Sequence, residues 1–198
     1  MFLIKAVVVL ILVARKSKSR KQKGKSKWLK GWLQHDKVVV MGDLSRLQSL
    51  RDKGFFGSII NDKLELSLCE ALYLMERGKL HVSDKRALSL KGFIKRAKKV
   101  DSRFWTRFKV YSDIRSKGYI TRAALKFGAD FSVYDKGTVP GRHHSKWLLF
   151  AVSADESFNW RELSAMNRVA HSVKKDLLVG VLDSEGDVTY YSTNWIKP

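Results

Sequence analysis

Residues 159–192 read NWRELSAMNRVAHSVKKDLLVGVLDSEGDVTYYS, and the order of patterns in this stretch decides the class of fold. Asn159, with Glu162 three residues later, forms a capping box and predicts a helix near 160–173. Leu-Leu-Val-Gly-Val-Leu then makes an unbroken apolar run, predicting a fully buried strand near 177–183. An acidic, glycine-containing turn leads to a second strand near 187–192. A helix followed by a buried strand and a paired strand calls for a sheet covered by helices.

Working outward, strands are predicted near 147–153, near 128–134, where FSVYDKG alternates before a turn, and near 118–122. DSRFWTRFKVYSDIRSKG, ahead of them, aligns Phe104, Phe108, Tyr111 and Ile114 on one helical face before Gly118. Closer to the N-terminus, SLKGFIKRAKK (89–99) reads as a basic helix and KLHV as a strand. LELSLCEALYLMER (64–77) reads as a helix stopped by Gly78. DLSRLQSLRDKG reads as a short helix capped by Asp43, faced by Leu44, Leu47 and Leu50, and ended by Gly54. The pattern is α+β, with a small helix-rich N-terminal half and an α/β C-terminal half.

Composition narrows the partners. The 198 residues include 39 Lys and Arg against 19 Asp and Glu, a formal charge of +20, which favours encounter with polyanions and makes nucleic acid the leading partner class. Cys69 is the single cysteine, so an internal disulfide and a four-thiolate zinc site are both excluded. It is expected to be a buried thiol on a helix, in keeping with an intracellular, cytoplasmic protein. MFLIKAVVVLILVA at the N-terminus is too short for an ordinary membrane span and is interrupted by Lys5. It is read as a packed strand or a misplaced start, followed by a basic run, RKSKSRKQKGKSKWLK.

Motif chemistry is sparse. There is no H-E-x-x-H, no G-x-G-x-x-G and no phosphate loop, and the acids form no evident constellation. Metal-free RNA cleavage needs less, because the 2′-hydroxyl of the substrate is itself the nucleophile. One group must take its proton, another must protonate the departing 5′-oxygen, and a cation must meet the charge developing at phosphorus. Histidine suits the acid role, with an ordinary pKa of about 6.5. Tyrosine serves as base only beside cations or by relaying a proton. Tyr134, His143 or His144, and Lys174 or Lys175 are candidates if the last helix delivers its lysine beside the YDKGTVPGRHHSKW turn.

Taken together, GFFGS, FKVYSDIRSKGYITRAALKFGADFSVYDKG, HHSKWLLFAV and NRVAHSVKKDLLVGVLDSEGDVTYY resemble the archaeal tRNA-splicing endonucleases across roughly residues 50–192. The resemblance implies a nuclease-like C-terminal domain with a central mixed sheet. It divides the chain into a basic extension (1–49), a reduced N-terminal domain (50–105) and a catalytic domain (106–198). It further implies metal-independent cleavage of precursor tRNA at bulge-helix-bulge junctions, giving 2′,3′-cyclic phosphate and 5′-hydroxyl ends with no cofactor. Residue by residue, it makes Tyr134 the base, His144 the acid and Lys175 the phosphate cation. Arg168 and Tyr190, with Tyr191 as the second candidate, would hold an extruded base, and Asp183, Glu185 and Asp187 would dock into a basic pocket on a neighbouring subunit. The short N-terminal half points to a heterotetramer with a second endonuclease subunit, with a homotetramer as the other arrangement. A noncatalytic RNA-binding or structural subunit would keep the charge without needing Tyr134, His144 and Lys175 to converge. A metal-dependent DNA nuclease would need clustered carboxylates.

Overall fold

A computed structural model describes residues 28–196, and both the apolar N-terminal stretch and most of the basic run lie outside them. The chain makes two mixed sheets. The first contains β1 (Leu29–Gln34), β2 (Lys37–Met41), β3 (Ser58–Ile60), β4 (Lys63–Ser67), β5 (Leu80–Asp84) and β6 (Arg86–Ala87). Its order is β3-β4-β2-β1-β5-β6, with β1 and β5 parallel. Helices α1 (Leu44–Gly54), α2 (Leu68–Glu76) and α3 (Leu90–Val100) belong to the same half. The N-terminal half thus sets a six-stranded sheet beside its three helices, and its first strand lies at Leu29, ahead of the boundary at residue 50 expected from the sequence.

Two misread patterns explain this difference. WLKGWLQHDKVVVM is a hairpin: Gln34 pairs with Lys37 across a turn at His35–Asp36, and Val38, Val39 and Val40 are buried. LELSLCEALYLMER is a strand that becomes a helix. Leu64 and Leu66 point inward between exposed Lys63 and half-buried Glu65, which is period two, and Ser67 then caps α2. The cap is reciprocal, since the Glu70 carboxylate accepts from Ser67 N–H at 2.8 Å while Ser67 Oγ accepts from Glu70 N–H. Gly54 does not end α1 by a left-handed turn either. Phe55 takes that conformation (φ 54°), and position 54 lacks room for a Cβ because the Phe56 ring would lie 2.3 Å from it.

In the second half, α4 (Phe104–Ser116) leads to β7 (Ile120–Ala123), β8 (Phe131–Tyr134) and β9 (Trp147–Ser153). Helix α5 (Trp160–Ser172), β10 (Asp176–Leu182) and β11 (Val188–Thr193) follow, close to the expected spans. Sheet order is β11-β10-β9-β8-β7, antiparallel except for β9 beside β10, whose crossover is α5. β9 is apolar on both faces because both are covered. Leu149 and Ala151 join the large core with α4, and Leu148 and Phe150 join a smaller one with Ala170 of α5. Phe104, Phe108, Tyr111 and Ile114 are all buried, as their spacing predicts. Each contributes roughly 1.5–3 kcal/mol by leaving water. Helix α4 sits tight on the sheet: a Cβ at Gly180 would meet Val110 Cγ1 at 2.7 Å.

The large core is shared. It runs from Leu29 and Val38 through Leu72 and Phe93 to Phe108, Leu149 and Leu182, so α4 joins the halves instead of marking a break between them. Asp130, buried where β8 begins, accepts from Ala151 N–H at 2.8 Å and pairs with Arg107 Nε of α4 at 2.9 Å. Arg107 also pairs with Asp101 at 2.7 Å. These bonds fix β8, and with it Tyr134, against α4 and β9.

Candidate active site

Tyr134 is the last residue of β8 and pairs with Ile120 of β7. The loop after it is built by local bonds. Asp135 O accepts from Thr138 N–H and Oγ1–H, and Val139 N–H donates to His143 Nδ1 at 3.1 Å. His143 thus shapes the loop, and its Nδ1 is the unprotonated nitrogen in that role. His144 is exposed beyond it, and Ser145 turns back into the protein.

Lys175 arrives from the other direction. At the C-terminus of α5, Lys174 adopts a left-handed conformation (φ 55°) and is exposed, while Lys175 N–H closes the turn on Ala170 O. The reversal aims Lys175 inward, where its ammonium donates to Ser145 O at 2.9 Å. Between the two adjacent lysines, position therefore favours Lys175. Burial, and after it the charge of Lys126, hold the Lys175 ammonium below its usual range.

Tyr134, His144 and Lys175, from a strand end, a loop and a post-helix turn, line one pocket of about 410 Å³. Arg122 and Lys126 share it, and sequence reasoning passed over both. The KFG of the 3₁₀ turn Leu125–Phe127 was a visible signal, but nothing in the local sequence says which way Lys126 faces. Among the described residues, no group of three or more His, Cys, Asp or Glu is placed to hold a metal ion. No described helix is long and apolar enough to cross a membrane.

Arg168 is exposed on α5 and does not line this pocket. Tyr190 departs from expectation. Its ring faces α4, and its hydroxyl donates to Asp113 Oδ2 at 2.8 Å, so it packs and bonds within the protein instead of offering a stacking face. Burial raises its pKa further, with the Asp113 bond adding to the effect. Strand alternation puts Tyr191 on the α5 side, 57% exposed, next to the strand end where Thr193 Oγ1–H donates to Asn167 Oδ1 of α5.

The acidic turn divides its labour. Asp183 Oδ1 accepts from the N–H groups of Glu185, Gly186 and Asp187 at 2.8–3.0 Å, so Asp183 builds the turn. Glu185 and Asp187 are exposed and display its charge. Arg51, Asp52, Arg122 and Arg142 line a cleft of about 590 Å³ between the two halves, and Asp52 pairs with Arg51 at 2.9 Å. Cys69 is a buried free thiol, pushed up to about 12 by burial.

Comparison with known proteins matches both halves. Residues 104–190 fit the family model described as tRNA intron endonuclease, catalytic C-terminal domain, and residues 29–94 fit the N-terminal domain of the same description. The second match begins at β1, in line with the hairpin that sequence reading left in an extension. A tRNA-splicing endonuclease of Methanothermobacter thermautotrophicus is 40% identical over 170 residues, covering 82% of this chain and 95% of the relative. One from Nanoarchaeum equitans is 43% identical over 151 residues, covering 73% and 97%. One from Thermococcus kodakarensis is 39% identical over 160 residues, covering 80% and 94%.

Proposed function

The chain belongs to the tRNA intron endonuclease family, and from that premise we propose that it cleaves precursor tRNA at bulge-helix-bulge junctions by metal-independent transfer to the 2′-hydroxyl. The observation that carries this reading is the meeting of Tyr134, His144 and Lys175 in one pocket, with the Lys175 ammonium tied to Ser145 O beside His144.

The roles follow from what each group can reach and carry. Tyr134, at the end of β8 and facing the pocket, takes or relays the proton of the 2′-hydroxyl. The 2′-oxygen forms its bond to phosphorus as the bond to the 5′-oxygen breaks, and His144 protonates that leaving oxygen. Lys175 meets the negative charge on the pentacoordinate phosphate. The products are a 2′,3′-cyclic phosphate and a 5′-hydroxyl, and no oxidant, metal or nucleotide enters the balance. A noncatalytic RNA-binding subunit would not need this convergence, so the geometry favours the catalytic reading.

Arg168 with Tyr191, in place of Tyr190, supplies a planar cation and an aromatic face for an extruded base. Assembly follows from charge. The exposed Glu185 and Asp187 are complementary to the arginine-lined interdomain cleft, and both features lie on this chain. The expectation of a heterotetramer rested on a short N-terminal half, and that half is a six-stranded unit. Further copies of this chain, as in a homotetramer, satisfy the surface without a different subunit. Light scattering tests this: Glu185→Gln with Asp187→Asn is expected to yield smaller species, whereas an unchanged mass contradicts docking through the turn.

Cleavage of a bulge-helix-bulge precursor in the presence of chelator tests the function. Wild type is expected to give both exons with cyclic phosphate ends, and loss of cleavage on chelation would sink metal independence.

A further inference from the structure

We propose that Lys126 is a second phosphate-binding residue of the catalytic pocket, acting beside Lys175 on the scissile phosphodiester. This rests on the reading of the pocket as an RNA cleavage site.

Three observations carry it. First, the pocket is lined by Arg122, Lys126 and Lys175 together with Tyr134 and His144, and among the described residues no carboxylate lines it. Arg107, by contrast, is paired with Asp101 and Asp130. Among the described residues Lys126 has no ion pair with an acid. A group of cations left without acids in a concave site is the charge pattern of a polyanion ligand.

Second, Lys126 is held in place. It sits in the 3₁₀ turn Leu125–Phe127, which is closed by Gly128 N–H donating to Leu125 O and anchored by fully buried Ala124 before it. Its ammonium lies 4.8 Å from the centroid of the Phe127 ring. That ring both lines the pocket and packs against the core beneath α5. A cation resting on an aromatic face keeps its charge while losing freedom.

Third, Lys126 and Lys175 repel each other closely enough that the charge of one helps hold the ammonium of the other below its usual range. A phosphate between them relieves that repulsion. As the 2′-oxygen attacks, the charge on the phosphorane oxygens grows from one towards two. Two ammonium groups match that growth better than one, which places part of the benefit in the transition state.

Lys126→Met and Lys126→Arg test this in three readouts: single-turnover cleavage at saturating precursor, binding of a precursor carrying 2′-deoxyribose at the cleavage site, and thermal melting. Lys126→Met is expected to slow single-turnover cleavage about tenfold, less than a fully desolvated donor because the side chain is exposed. It should also flatten the slope of log affinity against log salt by about 0.7–0.9, the loss of one phosphate contact. Melting should be unchanged, and Lys126→Arg should recover most of both effects. A Lys126→Met protein with the wild-type rate and salt slope overturns the inference, and so does a Lys126→Arg protein as impaired as Lys126→Met. If wild type does not cleave at all, the RNA-cleavage reading falls. The uncleavable precursor still decides the phosphate site: an unchanged salt slope in Lys126→Met overturns it.

Discussion

Two clusters of charge lie on either side of β8, and they are built on opposite rules. Where the strand begins, Arg107 is paired: Asp101 and Asp130 face it, and Asp130 also takes Ala151 N–H. Where the strand ends, Arg122, Lys126 and Lys175 share a pocket with Tyr134 and His144, and no acid among the described residues lines it. The first cluster neutralises its own charge and so holds α4, β8 and β9 in register. The second is left incomplete and so attracts what the protein lacks, an anion. One short strand connects a scaffold made of paired charge to a site made of unpaired charge.

Substitutions at the two ends should therefore fail in different ways. His144→Ala should lower the single-turnover cleavage rate by about 10²–10⁴, the usual worth of a positioned proton donor, with melting unchanged. Unaltered cleavage would remove His144 from the acid role. Asp130→Ala should do the reverse, costing about 3–5 kcal/mol in denaturant unfolding because Arg107 loses a buried partner. A loss below about 1 kcal/mol would show that this cluster does not hold the scaffold.

Lys175→Ala comes next, with an expected drop of about 10²–10³ in rate. Because the variant also frees Ser145 O, Lys175→Arg is the companion, keeping the charge while changing the tether. The adjacent tyrosines sharpen the contrast further. Tyr190→Phe should cost about 1 kcal/mol of stability through the lost bond to Asp113 and leave RNA affinity alone. Tyr191→Ala should weaken binding of the bulged precursor by about 1–3 kcal/mol and leave melting alone. Reversed outcomes would restore Tyr190 as the stacking residue.

The smallest effect belongs to the core. Burial keeps the Cys69 thiol protonated up to about 12, against an ordinary value of 9.0. Between those values the unfolded chain has lost a proton that the native chain keeps, so stability falls as pH rises. Burial raises Tyr111 and Tyr190 as well, adding to the same alkaline slope. Denaturant melts at stepped alkaline pH should show that slope, and it should be shallower in Cys69→Ala. An identical slope in the variant would mean the thiol does not contribute.

The C-terminal half was legible because its signals are local. A capping box at Asn159, a doubly buried apolar run and an acidic turn each read correctly without tertiary information. The N-terminal half hid its strands. Leu64 and Leu66 sit directly before a strongly apolar helix, so period two merges into period three and four, and the cap at Ser67 was overlooked. The hairpin at 29–41 is short, and its neighbouring basic run disguised it as tail. Within the site, Tyr134, His144 and Lys175 were legible through family resemblance. The choice of Lys175 over Lys174 depends on a left-handed residue, and Lys126 depends on which way a 3₁₀ turn faces. The packing of Tyr190 was hidden for a related reason: one step along a strand reverses the face, and only the position of α4 tells which face is covered.

Central to the proposed function is a pocket that cuts RNA through the RNA's own 2′-hydroxyl without a metal ion. Incubating wild type with an end-labelled bulge-helix-bulge precursor in excess chelator, then identifying the new ends, tests this most directly. The prediction is a 2′,3′-cyclic phosphate and a 5′-hydroxyl at both junctions, with no product from His144→Ala at matched times. A 5′-phosphate end, or cleavage that stops when chelator is added, would contradict it.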